Sequence, residues 1–504
     1  MKRILIVCLL VIALAACKKP LDLAPISQAS VANFFRNTQD FEIAVNGMYR
    51  ALLSSEYGIN QFDMSEVRSD NVYSPGTSGV RDWLPLNNFD VTLATNPYIV
   101  GVWQNDFNGI LRANTVLDKL NAEAVPDNTI RDRMEGEAKF FRAFFYFDLV
   151  RFVGKVPIFD HVATPSEALS IPRSPVADVY NLIISDLQTA ITKLPQTYPA
   201  SQKGKVTTYA AKGILALVYL TRSGPTYSIE GPGLGTNDYN AAVGLLNDII
   251  LSTKYSLLPS YASVFAYNNE NNAEILFDIQ AIDDGTTANS GLGTQLPTAM
   301  YEGPYANKFV GFAGGVDADG PKNPSQSLLN SFEPGDVRPG FSILMSYVDL
   351  QGNTRNSPQF VKFLDLTKKP LIRFNWPINY PILRYADILL MKAEAILRGG
   401  TGSQADVDAL VKQVRDRAGL SGAVLTNVTL DQLLTERQHE FMAEGKRWHD
   451  LVRTGKVLTV MAAADATDDV ANKQKIPTKD DIIYPIPFNQ LSISPGLYKQ
   501  NPGY

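Results

Sequence analysis

The chain has 504 residues, of which 45% are hydrophobic and 19% are charged. These proportions are close to those of an average globular protein and exclude a wholly disordered chain or a single coiled coil. The formal net charge of −5 argues against DNA or RNA as a partner, because nucleic-acid binding depends on clustered positive charge.

The N-terminus has the features of a secretory signal. Two basic residues precede an apolar run over 4–16, which is too short to span a bilayer. Small residues then precede Cys17, an arrangement that resembles a bacterial lipobox, where cleavage leaves the cysteine first and lipid is attached to its thiol. We predict a signal peptide over 1–16, lipidation at Cys17 and a polar tether over 17–30. A cleaved signal with an incidental cysteine is the alternative.

Helical periodicity dominates residues 31–504, which we expect to form one body. In 174–194, Ser174 can cap a helix and apolar residues recur every four positions. The segment 429–453 opens with a capping box formed by Thr429 and Gln432. Similar patterns predict helices over 38–53, 98–120, 131–152, 206–222, 238–253, 383–398 and 405–418.

These helices predict a mainly α fold with a tetratricopeptide-like scaffold. Small residues such as Ala211, Gly213 and Ala393 permit neighbouring helices to approach closely, as in helical hairpin repeats. The helical framework is expected over about 31–53, 98–253 and 383–453.

Two long regions lack sustained periodicity and are rich in Gly, Pro, Asn and Thr. They cover about 54–97 and 259–380, and we predict that they form an irregular, loop-rich ligand face. Short strands are expected at 274–279 and 359–364, where apolar, aromatic and β-branched residues cluster. The segment 455–483 is also predicted as loop.

A family resemblance covers nearly the whole chain. In order along the sequence, the segments 31–52, 135–159, 384–395, 433–453 and 484–504 resemble the SusD/RagB family. The resemblance implies a SusD-like nutrient-binding lipoprotein with tetratricopeptide-like units and a loop-rich ligand face. It further implies a SusC-like TonB-dependent outer-membrane transporter as partner, since known members bind glycans for uptake and lack catalytic activity.

The residue types that bind metals in other proteins do not occur here in a metal-binding pattern, and no cofactor is predicted. The three histidines, His161, His439 and His449, lack the i, i+4 spacing of a zinc-binding helix. Asp317 and Asp319 resemble the start of a calcium loop, but no acidic residue follows at its twelfth position, so a turn is expected there.

A glutamate stripe is the strongest enzymatic signal. Glu436, Glu440 and Glu444 recur every four residues in 429–453, and paired carboxylates are the machinery of glycoside hydrolysis. Arginines on the same helix and at the end of the preceding one offer ion-pair partners. We therefore predict a buried ion-pair face, with a hydrolase using Glu440 and Glu444 as the alternative.

Aromatic residues in the loop-rich regions are the candidate ligand platforms, because flat rings can stack on sugars while polar neighbours bind hydroxyl groups. Trp83 lies in a Gly- and Pro-rich loop and is predicted as a platform, with a buried loop anchor as the alternative. Tyr301, Tyr305 and Trp376 form a second candidate group, whereas Trp103 is expected in the core. The polar neighbours of Trp83 complete the predicted site: Asp70, Arg81, Asn87 and Asn88.

The sequence thus predicts a non-catalytic, lipid-anchored protein of the outer-membrane surface that binds an oligosaccharide or polysaccharide and delivers it to a transporter. A peptide or protein-fragment receptor of a similar importer is the first alternative. A surface glycoside hydrolase is the second.

Membrane attachment is expected to depend on Cys17, since the thiol is the predicted site of lipid attachment. Replacement Cys17→Ser should move the protein from the membrane fraction to the soluble fraction when cells lacking the transporter are fractionated. Detergent-dependent membrane association of the variant in such cells would contradict the lipoprotein assignment.

Overall fold

A computed structural model describes residues 34–53, 62–73, 82–285, 291–311, 322–373, 375–469 and 474–504. The predictions for Cys17, Arg81 and the turn at 317–320 lie outside the described residues.

The predicted mainly α fold is confirmed. The longer helices are α1 (Thr38–Leu52), α2 (Pro97–Lys119), α3 (Asn128–Val153), α4 (Val176–Lys193), α5 (Thr208–Arg222), α6 (Tyr239–Leu251), α7 (Tyr385–Leu397), α8 (Gln404–Arg417), α9 (Leu430–Phe441), α10 (Arg447–Thr454) and α11 (Val457–Asp468). The strands are β1 (Ile275–Ile279), β2 (Ile343–Leu344), β3 (Tyr347–Val348), β4 (Thr354–Arg355), β5 (Gln359–Phe360) and β6 (Tyr380–Arg384).

Each helix from α1 to α8 packs against the next one in the sequence, so the framework is a continuous helical stack. The strands form antiparallel pairs: β1 with β6, β2 with β5, and β3 with β4. Within the described residues, none of the helices is long and apolar enough to cross a membrane.

Helix α3 forms the centre of the core because it is covered from several sides. It packs between α2 and α4, and its phenylalanine rings also contact Phe277 of β1. The approach of α2 is close, since a Cβ built on Gly109 would lie 2.3 Å from the Phe145 ring. A side chain at position 109 would therefore displace the Phe145 ring or separate the two helices.

The structure corrects three details of the predicted framework. Helix α4 begins at Val176 without a side-chain cap, and the backbone N–H of Ser174 instead donates to the Val156 carbonyl. The predicted helix over 383–398 begins later, because 380–384 is strand β6. Helix α11 was missed, because its alanine-rich sequence lacks a clear apolar stripe.

The predicted helix over 429–453 is two helices. The chain leaves the helical conformation after α9, where Ala443 has a φ of +65° and Gly445 a φ of +67°. The carbonyls of Glu440 and Met442 then accept hydrogen bonds from Lys362 Nζ, at 3.2 and 3.0 Å. A buried cation therefore takes the place of the hydrogen bonds that a continuous helix would make.

The glutamates of this region belong to a buried charge network, as the ion-pair interpretation predicted. Arg384, at the end of β6, donates to Glu274 at 2.6 Å, to Glu440 at 3.0 Å and to Glu444 at 2.8 Å. Lys362 contacts Glu444 at 2.6 Å, and Arg417 of α8 contacts Glu440. All of these charged groups are nearly or fully buried.

Replacement Glu440→Gln should destabilise the fold by about 3 kcal/mol, because it removes a buried negative charge that Arg338, Arg384 and Arg417 share. Burial raises the pKa of Glu440, but Arg417, Arg384 and Arg338 more than offset this effect and hold its pKa at about 2 instead of 4.5. The stabilisation is then fully present above about pH 4.5 and is lost as the pH falls towards 2. Chemical unfolding at several pH values should show the difference between parent and variant narrowing below pH 4.5.

A matched control is Asp416→Asn, which removes an exposed pair with Lys412 on α8. It should change stability by less than about 0.5 kcal/mol. Equal effects of the two variants would contradict the structural role of the network.

Candidate functional site

The loop-rich face is built where two distant parts of the sequence meet. Val72 forms an isolated antiparallel bridge with Pro324. The backbone N–H of Tyr73 donates to the Asn323 carbonyl at 3.1 Å, and that of Ser325 donates to the Asn71 carbonyl at 3.0 Å. The structure therefore brings together the two regions that the sequence predicted as a ligand face.

Trp83 does not present its ring to solvent. The side chain is 0% exposed, and Lys322 Nζ lies 5.8 Å from its ring centroid. Lys322 itself is buried and paired with Asp63 at 2.6 Å. The predicted exposure of Trp83 is wrong, and the alternative of a buried loop anchor describes it, because apolar ring and cation pack inside the loop rather than on its surface.

The polar neighbours of Trp83 are also used internally. The Asp70 carboxylate accepts hydrogen bonds from Arg447 at 2.7 and 2.8 Å and from Gln438 at 3.1 Å. The Asn87 amide donates to the carbonyls of Val67 and Val72. The sequence predicted that Asp70 and Asn87 contact a ligand directly. In the structure their side chains bond to other parts of the protein and hold the loop in place.

Asn88 differs from its neighbours. Its side-chain oxygen is buried and has no hydrogen-bond partner in the described part of the chain.

The second predicted group does come together. Tyr301 Oη donates to Thr298 Oγ1 at 3.2 Å, and Trp376 Nε1 donates to the same oxygen at 3.1 Å. Tyr301 is 2% exposed and Trp376 is 0% exposed, so neither offers an open ring face. The expectation of exposed platforms at these positions is wrong, because one hydroxyl group satisfies both polar atoms inside the fold.

Tyr301 is the inner member of an aromatic cluster with Tyr305, Phe309 and Tyr347. The ring centroids of Tyr305 and Phe309 are 4.7 Å apart, and those of Tyr305 and Tyr347 are 5.2 Å apart. Tyr305 is 6% exposed, whereas Phe309 is half-buried. The ring that reaches the surface is therefore Phe309, which lies four residues after Tyr305 in the π-helical segment Ala306–Val310. This i, i+4 spacing could have identified it.

Polar side chains surround this aromatic cluster. Glu302 accepts hydrogen bonds from Tyr347 and from Ser357, and burial raises the pKa of the Tyr347 hydroxyl. Lys308 Nζ donates to the Val348 carbonyl at 2.5 Å, and Asn307 is exposed. The arrangement joins a half-open aromatic ring to carboxylate, ammonium and amide groups, which are suited to a ligand with both apolar faces and hydroxyl groups.

The buried network of Glu440 and Glu444 lacks the properties of a hydrolase active site. Glu440 is 0% exposed and has a pKa of about 2, whereas a general acid in glycoside hydrolysis needs a raised pKa. Across the described ranges, His, Cys, Asp and Glu side chains form no group of three that could hold a metal ion.

Two family models match separate parts of the chain. The SusD family model matches residues 347–504, and a model described as "Starch-binding associating with outer membrane" matches residues 21–220. A SusD-like protein of Formosa agariphila is 24% identical over 546 residues, which cover 100% of this chain and 99% of the relative.

Solved structures share the fold over nearly its full length. Surface glycan-binding protein A from Bacteroides thetaiotaomicron, in complex with laminarihexaose, aligns with a TM-score of 0.78 and 23% identity over 92% of this chain and 99% of that chain. A laminarin-binding SusD-like protein aligns with a TM-score of 0.77 and 26% identity over 93% of this chain and 100% of that chain.

The helical stack and its irregular face define a helical-repeat protein with a loop-built surface inserted between framework helices. The chain belongs to the SusD/RagB family.

Replacement Trp83→Ala should lower the free energy of unfolding by about 3–5 kcal/mol, because it leaves a cavity at a fully buried position. Thermal and chemical unfolding of the purified variant measure this loss, and Trp83→Phe should lose less because it keeps an aromatic ring. Unchanged stability of Trp83→Ala would mean that the ring is open to solvent and would restore it as a ligand platform.

Proposed function

We propose that the protein is a non-catalytic glycan-binding protein of the cell surface. The observation that carries this proposal is the full-length likeness to proteins named for glycan and laminarin binding, one of them solved with laminarihexaose. The relatives are named as binding proteins, and the glutamate pair that a hydrolase would need is buried in ion pairs. Both points support binding without cleavage.

The proposed contact surface is the outer side of the aromatic cluster. The Phe309 ring would stack on the C–H face of a pyranose, while Asn307, Lys308 and Glu302 would bind its hydroxyl groups. Tyr305 would support the stacking ring at 4.7 Å. Arg81 stays a predicted contributor from the adjoining loop.

The remaining predicted residues would act from beneath this surface. Trp83 and Trp376 fill the interior of the two loop segments, and Tyr301 connects Trp376 to the aromatic cluster through Thr298. Asp70 and Asn87 would fix the position of the adjoining loop.

We also propose that the protein is held at the outer membrane by lipid at Cys17 and passes its ligand to a SusC-like TonB-dependent transporter. The lipobox-like sequence before Cys17 supports the anchor. The family model whose description names association with the outer membrane supports the location. Capture beside a transporter would raise the local concentration of ligand at its entrance.

Replacement Phe309→Ala should weaken glycan binding about thirtyfold, since an aromatic anchor in a binding site commonly contributes about 2 kcal/mol. Affinity gel electrophoresis with laminarin and with starch, followed by calorimetry with the glycan that retards the parent protein, measures the change. A half-buried aromatic of the framework, Tyr219 on α5, provides the matched control Tyr219→Ala, which should bind as the parent does.

Two results would contradict the proposal. If no polysaccharide in a broad panel binds but peptides do, the receptor alternative is correct. If glycans bind equally to parent and Phe309→Ala while both remain folded, the contact surface lies elsewhere.

A further inference from the structure

A second concave surface lies on helix α2 and shares no lining residue with the aromatic cluster of the loop-rich face. It encloses about 540 Å³ between α2, the segment 157–169 and the C-terminal segment 490–498. A volume of this size falls within the range of small-ligand sites. We call this surface the α2 groove.

Aromatic rings form the wall of the α2 groove. The ring centroids of Trp103 and Phe107 are 4.9 Å apart, and those of Phe107 and Phe159 are 5.8 Å apart. Tyr498 continues the wall, with its ring centroid 6.4 Å from that of Trp103. Phe107, Phe159 and Tyr498 are half-buried, so the groove offers ring surface to a ligand.

Two polar atoms in this aromatic wall have no protein partner in the described residues. Trp103 is only 5% exposed, yet its indole N–H makes no hydrogen bond to the protein, and neither does the Tyr498 hydroxyl. Neither atom is among the fully enclosed unpartnered atoms of the fold, so both reach open space. The two residues line the groove, which means that a ligand there meets an unused donor and an unused hydroxyl group.

The lining carries no unpaired charge among its described residues. Its one imidazole, His161, lies 2.7 Å from Asp160 and 2.9 Å from Glu167, and these hydrogen bonds raise the pKa of His161. The cationic form of His161 therefore lies between two carboxylates, and no described Asp, Glu, Lys or Arg side chain lines the groove. A charged ligand would find no free counter-charge, which favours a neutral one.

The wall is also held rigidly. Asn114 of α2 donates to the carbonyls of Phe159 and His161, at 2.9 Å each, and accepts a hydrogen bond from Arg142. Arg142 is itself held by Asp186 through hydrogen bonds of 2.7 and 2.9 Å. A groove fixed in this way requires little ordering when a ligand enters.

We propose that the α2 groove is a saccharide-binding site, separate from the loop-rich face, that takes one or two neutral pyranose units. The half-buried rings stack on C–H faces, while Trp103 Nε1–H and the Tyr498 hydroxyl bind sugar hydroxyl groups. The amides of Gln104 and Gln490 lie in the same lining and extend this set. A purely apolar partner would leave the indole N–H and the phenol desolvated and unpaired.

The test uses the purified protein with cellobiose, maltose and laminaribiose as probes. Saturation-transfer NMR detects binding, and tryptophan fluorescence reports on the groove because Trp83, Trp376 and Trp448 are almost fully buried. Binding should saturate at millimolar sugar. Tyr498→Phe removes the hydroxyl group and keeps the ring, and it should weaken affinity about fivefold to tenfold. Trp103→Phe replaces the indole with a smaller ring and removes the fluorescent reporter, so its loss of affinity, expected to be at least as large, is measured by NMR.

The variant Phe309→Ala separates this site from the proposed ligand face. It removes the proposed contact at the loop-rich face, so the fluorescence change that it retains reports on the α2 groove alone, and the groove can be confirmed even if the loop-rich face binds no glycan. Equal binding by parent, Trp103→Phe and Tyr498→Phe would overturn the proposal. So would the absence of saturable binding by folded protein, and the exposed apolar rim at Leu111, Leu169 and Ile493 would then indicate a protein partner.

Discussion

The buried pairing of Arg384 with Glu274, Glu440 and Glu444 is the constraint on which the rest of the structure depends. Moving these charges out of water is costly, and the arrangement persists only because each carboxylate has a close cationic partner. Arg384 ends strand β6 and directly precedes helix α7. Its side chain therefore joins this junction to Glu274, just before β1, and to Glu440 at the end of α9. Because the cost of desolvation offsets most of the attraction, the main effect of this network is to fix the relative positions of the segments that carry its charges.

The same network extends into the loop-rich face. Lys362 follows strand β5 and contacts Glu444, while Arg447 of α10 holds the Asp70 carboxylate of the first loop. The two loop regions therefore rest on charges supplied by the C-terminal helices. This explains why the Asp70 carboxylate, which resembles a ligand contact in the sequence, is turned inward: its charge joins the first loop to α10.

Sequence periodicity predicted the framework helices well, because apolar residues at helical spacing all lie on one face of a helix and that face must pack against the core. It failed at the end of α9, where Lys362, distant in sequence, competes for the backbone carbonyls of the helix. In the loops, composition identified the correct regions but not the orientation of single rings. Trp83 and Phe309 both lie beside polar and turn-forming residues, and only tertiary contacts decide that the first is enclosed and the second is half-open.

Two saccharide sites on one rigid stack would together bind a long polymer more tightly than either site alone. A neutral sugar held by one or two rings and a few hydrogen bonds binds weakly, because much of the gain offsets lost motion and desolvation. A polymer that engages both the loop-rich face and the α2 groove makes its second contact at a high effective concentration, provided that its length spans the two sites. The gain is largest on a scaffold that does not deform, and the continuous packing of α1 to α8, with α3 buried among α1, α2, α4 and α5, supplies such a scaffold. Selection by polymer length then follows from the fixed separation of two weak sites rather than from the affinity of either one.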